Sequence, residues 1–137
     1  MPIVKWTEEM SVGVAALDRD HQRLLGLINQ LYEVIRLPDA QAEVGAVIGE
    51  LVHYAHRHCA AEEALMARAG YPGLEEHRKS HDLLRERVAE YQDEYRAAPR
   101  SVVAAELFEF LADWLIHHIR TEDRAYAPAL AGLADAP

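Results

Sequence analysis

Residues 44–65, VGAVIGELVHYAHRHCAAEEAL, decide the fold. Val44, Ile48, Leu51, Ala55, His58, Glu62 and Leu65 recur four, three, four, three, four and three residues apart, which lines up one face of an α-helix. Gly70-Tyr71-Pro72-Gly73 stops the pattern, so a helix is expected over about 41–69. Within its stripe, His58 and Glu62 stand where core residues belong.

The same rhythm continues on both sides. Upstream, Leu17, His21, Leu24, Ile28, Leu31 and Ile35 predict a first helix over about 18–37, with Asp18 as its N-cap and Pro38-Asp39 as its break. Downstream, Leu74, His77, His81, Leu84, Val88, Tyr91 and Tyr95 predict a third helix over about 74–96. Ala104, Leu107, Leu111, Trp114 and His118 predict a fourth, from a Ser101 cap to about 122 or a little beyond. Short connections between long amphipathic helices favour antiparallel neighbours. The expected fold is therefore an all-α, up-down-up-down antiparallel four-helix bundle packed about 20° off antiparallel. An N-terminal arm of about residues 1–16 precedes it, with Trp6 and Val12 as anchors against the bundle.

A chain of 137 residues, half of them hydrophobic, suits one domain with one core. Its 14 basic against 23 acidic residues give a net charge of −9, which opposes binding to nucleic acid or anionic membranes. No apolar run is long enough to span a bilayer, and the opening MPIVKWTEEMSVG places charges where a signal peptide needs its hydrophobic core. The expected compartment is the cytoplasm and the expected state a monomer. The single cysteine, Cys59, forms no internal disulfide and no cysteine-based zinc site, so a metal would be held by histidine and carboxylate.

The histidines are the informative residues. In alternating helices, starts and ends meet. His21 near the start of the first helix, His58 and Glu62 near the end of the second, and His77 and His81 near the start of the third thus share one level. His118 and the acids that follow it bring the fourth helix there. Residues four apart project from one face, so each pair can reach one ion or ion pair. Burying such groups uncompensated costs several kcal/mol, and a metal centre offsets that cost. The alternative is a metal-free polar network in which the imidazoles bond to the carboxylates and fix the register. These six residues and one of the two acids after His118 make seven candidates, more than tetrahedral zinc needs, and imidazole-rich ligation with bridging carboxylates suits a pair of irons. His53, His56 and His117 lie off the stripe and are expected at the surface, as are the runs Glu8-Glu9, Glu75-Glu76 and Arg85-Glu86-Arg87. By spacing alone, Glu122 suits His118 better than Asp123, because residues five apart diverge by about 140° on a regular helix.

Four stretches, VGVAALDRDH ending at His21, HCAAEEALM from His58, GYPGLEEHRKSH ending at His81 and WLIHHIRTED ending at Asp123, resemble the hemerythrin family, and specifically its stand-alone bacterial members. The resemblance covers nearly the whole chain, as a single hemerythrin-like domain over residues 1–137. It implies a non-haem di-iron centre with a bridging oxo or hydroxo group that binds O2 reversibly. It assigns His77, His81 and His118 to one iron, His21 and His58 to the other, and Glu62 and Asp123 as bridges. The two-histidine iron keeps the open position for O2. The resemblance also places Leu24, Cys59, Trp114, Leu115 and Tyr126 around the O2 pocket, Cys59 standing where the family usually has phenylalanine. The implied function is an oxygen carrier, storage or delivery protein without catalytic turnover. A sensor of O2, nitric oxide or redox state is the first alternative, and a di-iron oxidase or peroxidase the second.

Overall fold

Short breaks separate the long helices of the computed structural model, which describes residues 4–134: α1 (Ala15–Ile35), α2 (Gln41–Ala69), α3 (Leu74–Ala97) and α4 (Ser101–His118). α1 packs on α2, α2 on α3, α3 on α4, and α4 back on α1, which closes the expected antiparallel ring. The apolar stripes meet inside it: Ile28, Leu31, Ile48, Leu51, Val88 and Leu107 are all buried. Each such side chain contributes about 1.5–3 kcal/mol on leaving water.

The bounds of α2 and α3 agree with the periodicity, and Gly70 shows why α2 stops. At φ 67° it adopts the left-handed conformation that ends helices, and the Tyr71 N–H then donates to the Met66 carbonyl at 3.0 Å. α1 starts earlier than expected. Asp18 lies inside its first turn and does not cap it; its carboxylate accepts the Ser11 hydroxyl at 2.6 Å and the Val12 N–H at 2.9 Å. It secures the incoming arm instead. That arm runs alongside α1, where Val4 and Asn29 exchange two hydrogen bonds of 2.9 and 2.8 Å. Val12 is buried and Trp6 half-buried against the core, while residues 1–3 of the expected arm lie outside the described residues.

The larger departure is at the end of α4. The helix widens into a π turn, Ile119–Asp123, and continues as α5 (Arg124–Ala134). Tyr126 and Leu130 of α5 are fully buried and pack with Val12, Val14, Leu17 and Met66 in a second apolar cluster. Arm and C-terminal helix together thus cap one end of the bundle. Among the described residues, no helix is long and apolar enough to cross a membrane.

Candidate metal centre

The buried polar residues of the core are His21, His58, Glu62, His77, His81, His118 and Asp123. All come together at the capped end, and they fall into two overlapping groups. Glu62, His77, His81, His118 and Asp123 offer ligand atoms within 4.8 Å of one another, and so do His21, His58, Glu62 and Asp123. Glu62 and Asp123 belong to both. His53, His56 and His117 are exposed or half-exposed and lie outside both groups.

The π turn explains Asp123. Its extra residue per turn lets a five-residue step return to the same face, so Asp123 Oδ1 lies 2.9 Å from both His118 Nε2 and His77 Nε2. Glu122, favoured by regular spacing, does meet His118, but on its outer nitrogen: Glu122 Oε2 is 2.5 Å from Nδ1. Two consecutive acids thus straddle one imidazole.

A cation fits this donor set. The Nδ1 atoms of His58, His81 and His118 face Asp20, Glu63 and Glu122 at 3.0, 2.7 and 2.5 Å. Ionised carboxylates only accept, so Nδ1 carries the hydrogen and Nε2 turns a lone pair inward. There His118 Nε2 stands 3.0 Å from His77 Nε2 and 3.3 Å from His81 Nε2, and Glu62 Oε1 3.0 Å from His81 Nε2. Glu62 Oε1, both Asp123 oxygens and His58 Nε2 are buried without a hydrogen-bond partner. Acceptors so crowded repel one another unless positive charge lies between them.

Protons are the alternative to a cation. Burial lowers the His58 pKa, yet Glu62 and Asp20 outweigh it and raise the group to about 10. His77 rises to about 9 against the same burial, through Asp123 and Glu62. Burial also resists ionisation of Glu62, but His58, His21 and His77 hold it well below the carboxylate range. Asp123 is pushed up by burial and by Glu62, and the imidazoles of His118, His21 and His77 still bring it to about 2. Both carboxylates are therefore anionic, ready to compensate cations.

The hemerythrin HHE cation binding domain family model matches residues 12–130, which contain all of these groups. The chain belongs to the hemerythrin family. Bacteriohemerythrin of Stenotrophomonas maltophilia is 37% identical over 127 residues, 93% of this chain and 81% of the relative. Bacteriohemerythrin of Pseudomonas aeruginosa is 36% identical over 91% of this chain and 80% of the relative. A crystal structure of wild-type hemerythrin superposes with a TM-score of 0.87 at 27% identity, covering 95% of this chain and 99% of that one.

Beside the hemerythrin cluster lies a small apolar cavity of about 20 Å³, lined by Leu24, Ile28, Leu51, Ala55, Leu84, Leu111, Trp114 and Leu115. Leu24 is three residues from His21, Ala55 three from His58, Leu84 three from His81, and Trp114 four from His118, so the cavity sits one turn deeper than the cluster. Trp114 also stacks on the His118 ring, with centroids 4.3 Å apart. Of the residues expected around the pocket, Cys59 and Tyr126 do not line this cavity. Cys59 is buried in the main core, where burial raises its thiol pKa and keeps it protonated. Tyr126 comes from the cap; its hydroxyl donates to Glu62 Oε2 at 2.6 Å, and its ring lies 5.5 Å from that of His77.

Periodicity paired Glu122 with His118 but missed the outer carboxylates Asp20 and Glu63. Asp20, Glu63 and Glu122 are each adjacent in sequence to a cluster residue, about 100° around the helix, and so reach the outer nitrogen of a histidine on a neighbouring turn or helix. The doublets Asp20-His21, Glu62-Glu63 and Glu122-Asp123 were the available signal. Arg85, read as part of a solvated charge run, is instead 21% exposed and bonds Glu63 at 3.0 Å.

Proposed function

We propose that this chain holds two iron ions and takes up O2 reversibly, as an oxygen carrier, storage or delivery protein. The observation that carries the reading is a buried cluster of inward-facing acceptors shared by two ligand groups, directly above a small apolar cavity. His77, His81 and His118 would hold one ion, His21 and His58 the other, with Glu62 and Asp123 shared. Iron, when bound, supplies the electrons that make O2 uptake reversible.

The protein's own groups do the rest. Asp20, Glu63 and Glu122 fix the tautomer and direction of three imidazoles. Tyr126 holds the shared carboxylate of Glu62 in place. Two anionic carboxylates offset much of the charge of two divalent cations, so the centre can remain buried. The apolar lining excludes water, and a space of about 20 Å³ suits only a molecule of roughly water size. Such a site, dominated by histidine, favours binding over the turnover of glutamate-rich di-iron bundles. Among the described residues the exposed large apolar side chains are Leu37, Leu83 and Val102, too few for a broad oligomer face, which supports a monomer. The lone buried Cys59 suits a reducing, cytoplasmic setting.

Iron quantification combined with visible spectra under argon, after air and after argon again tests the reading. About two irons per chain and a charge-transfer band that comes with air and goes with argon are expected. Irreversible conversion to a ferric spectrum would instead support redox sensing, and absence of iron a metal-free polar network.

A further inference from the structure

Two voids flank the histidine cluster, and their linings differ. The first is the apolar cavity between Leu24 and Trp114. The second is a cleft of about 120 Å³, open to solvent, lined by Tyr71, Gly73, Glu76, His77, Glu122 and Ala125. His77 is its floor: the residue is only 3% exposed, and its Nε2 lies 2.9 Å from Asp123 in the cluster. All polar contacts of the His77 side chain run through Nε2, which leaves Nδ1 without a protein partner among the described residues. Glu122 bridges surface and centre, with 41% of its side chain exposed and Oε2 on His118 Nδ1. Glu76 stands at the rim, 80% exposed, with Oε1 3.2 Å from the likewise exposed Lys79 ammonium and Oε2 left to solvent. A Cβ on Gly73 would meet the Tyr71 ring at 2.8 Å, so glycine is what lets Tyr71 lie along the cleft wall.

The geometry points to this cleft as the doorway through which divalent cations reach the centre, with Glu76 and Glu122 as successive oxygen partners and His77 as the receiving ligand. The inference rests on the metal-binding reading above. A hydrated divalent cation cannot cross the leucine-lined cavity, because shedding its water there is uncompensated. Carboxylates at a water-filled mouth replace that hydration stepwise and raise the local cation concentration. O2, which carries no charge, takes the other void. Charged and neutral visitors are thereby separated.

Stopped-flow uptake of Co(II) by the metal-free protein, and its release to a chelator, test the doorway without any O2 chemistry. Ala125→Trp fills the cleft and removes no ligand, so association and release are expected to slow by the same factor at unchanged Kd. Glu76→Lys, at an exposed position, is expected to slow association roughly tenfold at low salt, with the effect fading at high salt. Either variant loading at the wild-type rate, with native helix content by circular dichroism, overturns the doorway. Should Ala125→Trp fail to fold, Glu76→Lys decides alone. A wild-type protein that takes up no cobalt would overturn the metal-binding reading itself.

Discussion

α2 and α4 deliver the same cargo to the centre by different backbones. On α2, His58 and Glu62 are four residues apart on a regular helix. On α4, His118 and Asp123 are five apart, and a π turn makes up the difference. The outer shells then repeat each other. Asp20 holds His58 Nδ1 and is itself bonded by the Tyr54 hydroxyl at 3.1 Å; Glu122 holds His118 Nδ1 and is bonded by the Ser80 hydroxyl at 2.7 Å. What the two helices share is a chemical pattern of carboxylate, imidazole, carboxylate and hydroxyl, and the backbone bends to meet it. Both helices also carry two acids in succession that serve opposite nitrogens of one ring, Glu62 and Glu63 on His81, Glu122 and Asp123 on His118.

On that equivalence, Glu62→Ala and Asp123→Ala should do comparable and severe damage. Bound metal is expected to fall from about two ions per chain to one or none, because each removes a carboxylate common to both ligand groups. Metal analysis after gel filtration reads this directly. A protein that keeps both ions after Asp123→Ala, and loses them after Glu122→Ala, would reverse the assignment of the two acids.

The outer carboxylates come next. Asp20→Ala and Glu122→Ala are each expected to weaken metal binding by about 10–100-fold while leaving the stoichiometry unchanged. Competition with a chromogenic chelator measures this, and unequal losses would show that one helix carries more of the positioning.

Protons offer a gentler perturbation. In the metal-free protein His58 and His77 titrate at about 10 and about 9, above the usual 6.5, so their charged forms stabilise the fold fully below pH 6.5. That contribution is lost as pH rises through their folded values. Melting of the metal-free protein is expected to drop by several degrees between about pH 7 and 10. Metal loading near neutral pH should also release protons, visible by calorimetry in buffers of different ionisation enthalpy. Flat melting over that range with no proton release would show that the imidazoles are neutral without metal.

The smallest effects belong to the hydroxyls. Ser80→Ala and Tyr54→Phe each delete one partly buried hydrogen bond to an outer carboxylate, and each should cost about 0.5–1.5 kcal/mol in denaturant unfolding. A much larger loss for one of them would break the symmetry at its outermost point.

The contrast between α2 and α4 also marks what could be read from the sequence. α2 was legible in full because its stripe keeps one phase to Gly70, where a left-handed residue ends it. α4 was legible only to His118: beyond it the phase slips by one residue, so the burial of Tyr126 and Leu130, and with them α5, lay outside the regular pattern. Asp123 came from family resemblance, since regular spacing favoured Glu122. Asp18 looked like a helix cap because its residue type suits one, but its carboxylate serves Ser11 and Val12. Leu24, Trp114 and Leu115 line the apolar cavity together, whereas Cys59, in the same core cluster, and Tyr126, in the cap, do not line it, a distinction that depends on side-chain direction. Sequence spacing carries no such information.

The arm that caps the centre has a consequence for biosynthesis. Val12 and Val14, which leave a ribosome before any of the four long helices, pack with Tyr126 and Leu130, which follow all four, and the Arg124 guanidinium donates to the Glu9 carbonyl. Contacts between such distant positions form late, after nearer pairings such as α1 with α2, whose loop-closure entropy is smaller. During translation the chain therefore exposes its histidines on unfinished helices, and the capped end closes only once synthesis has passed α5.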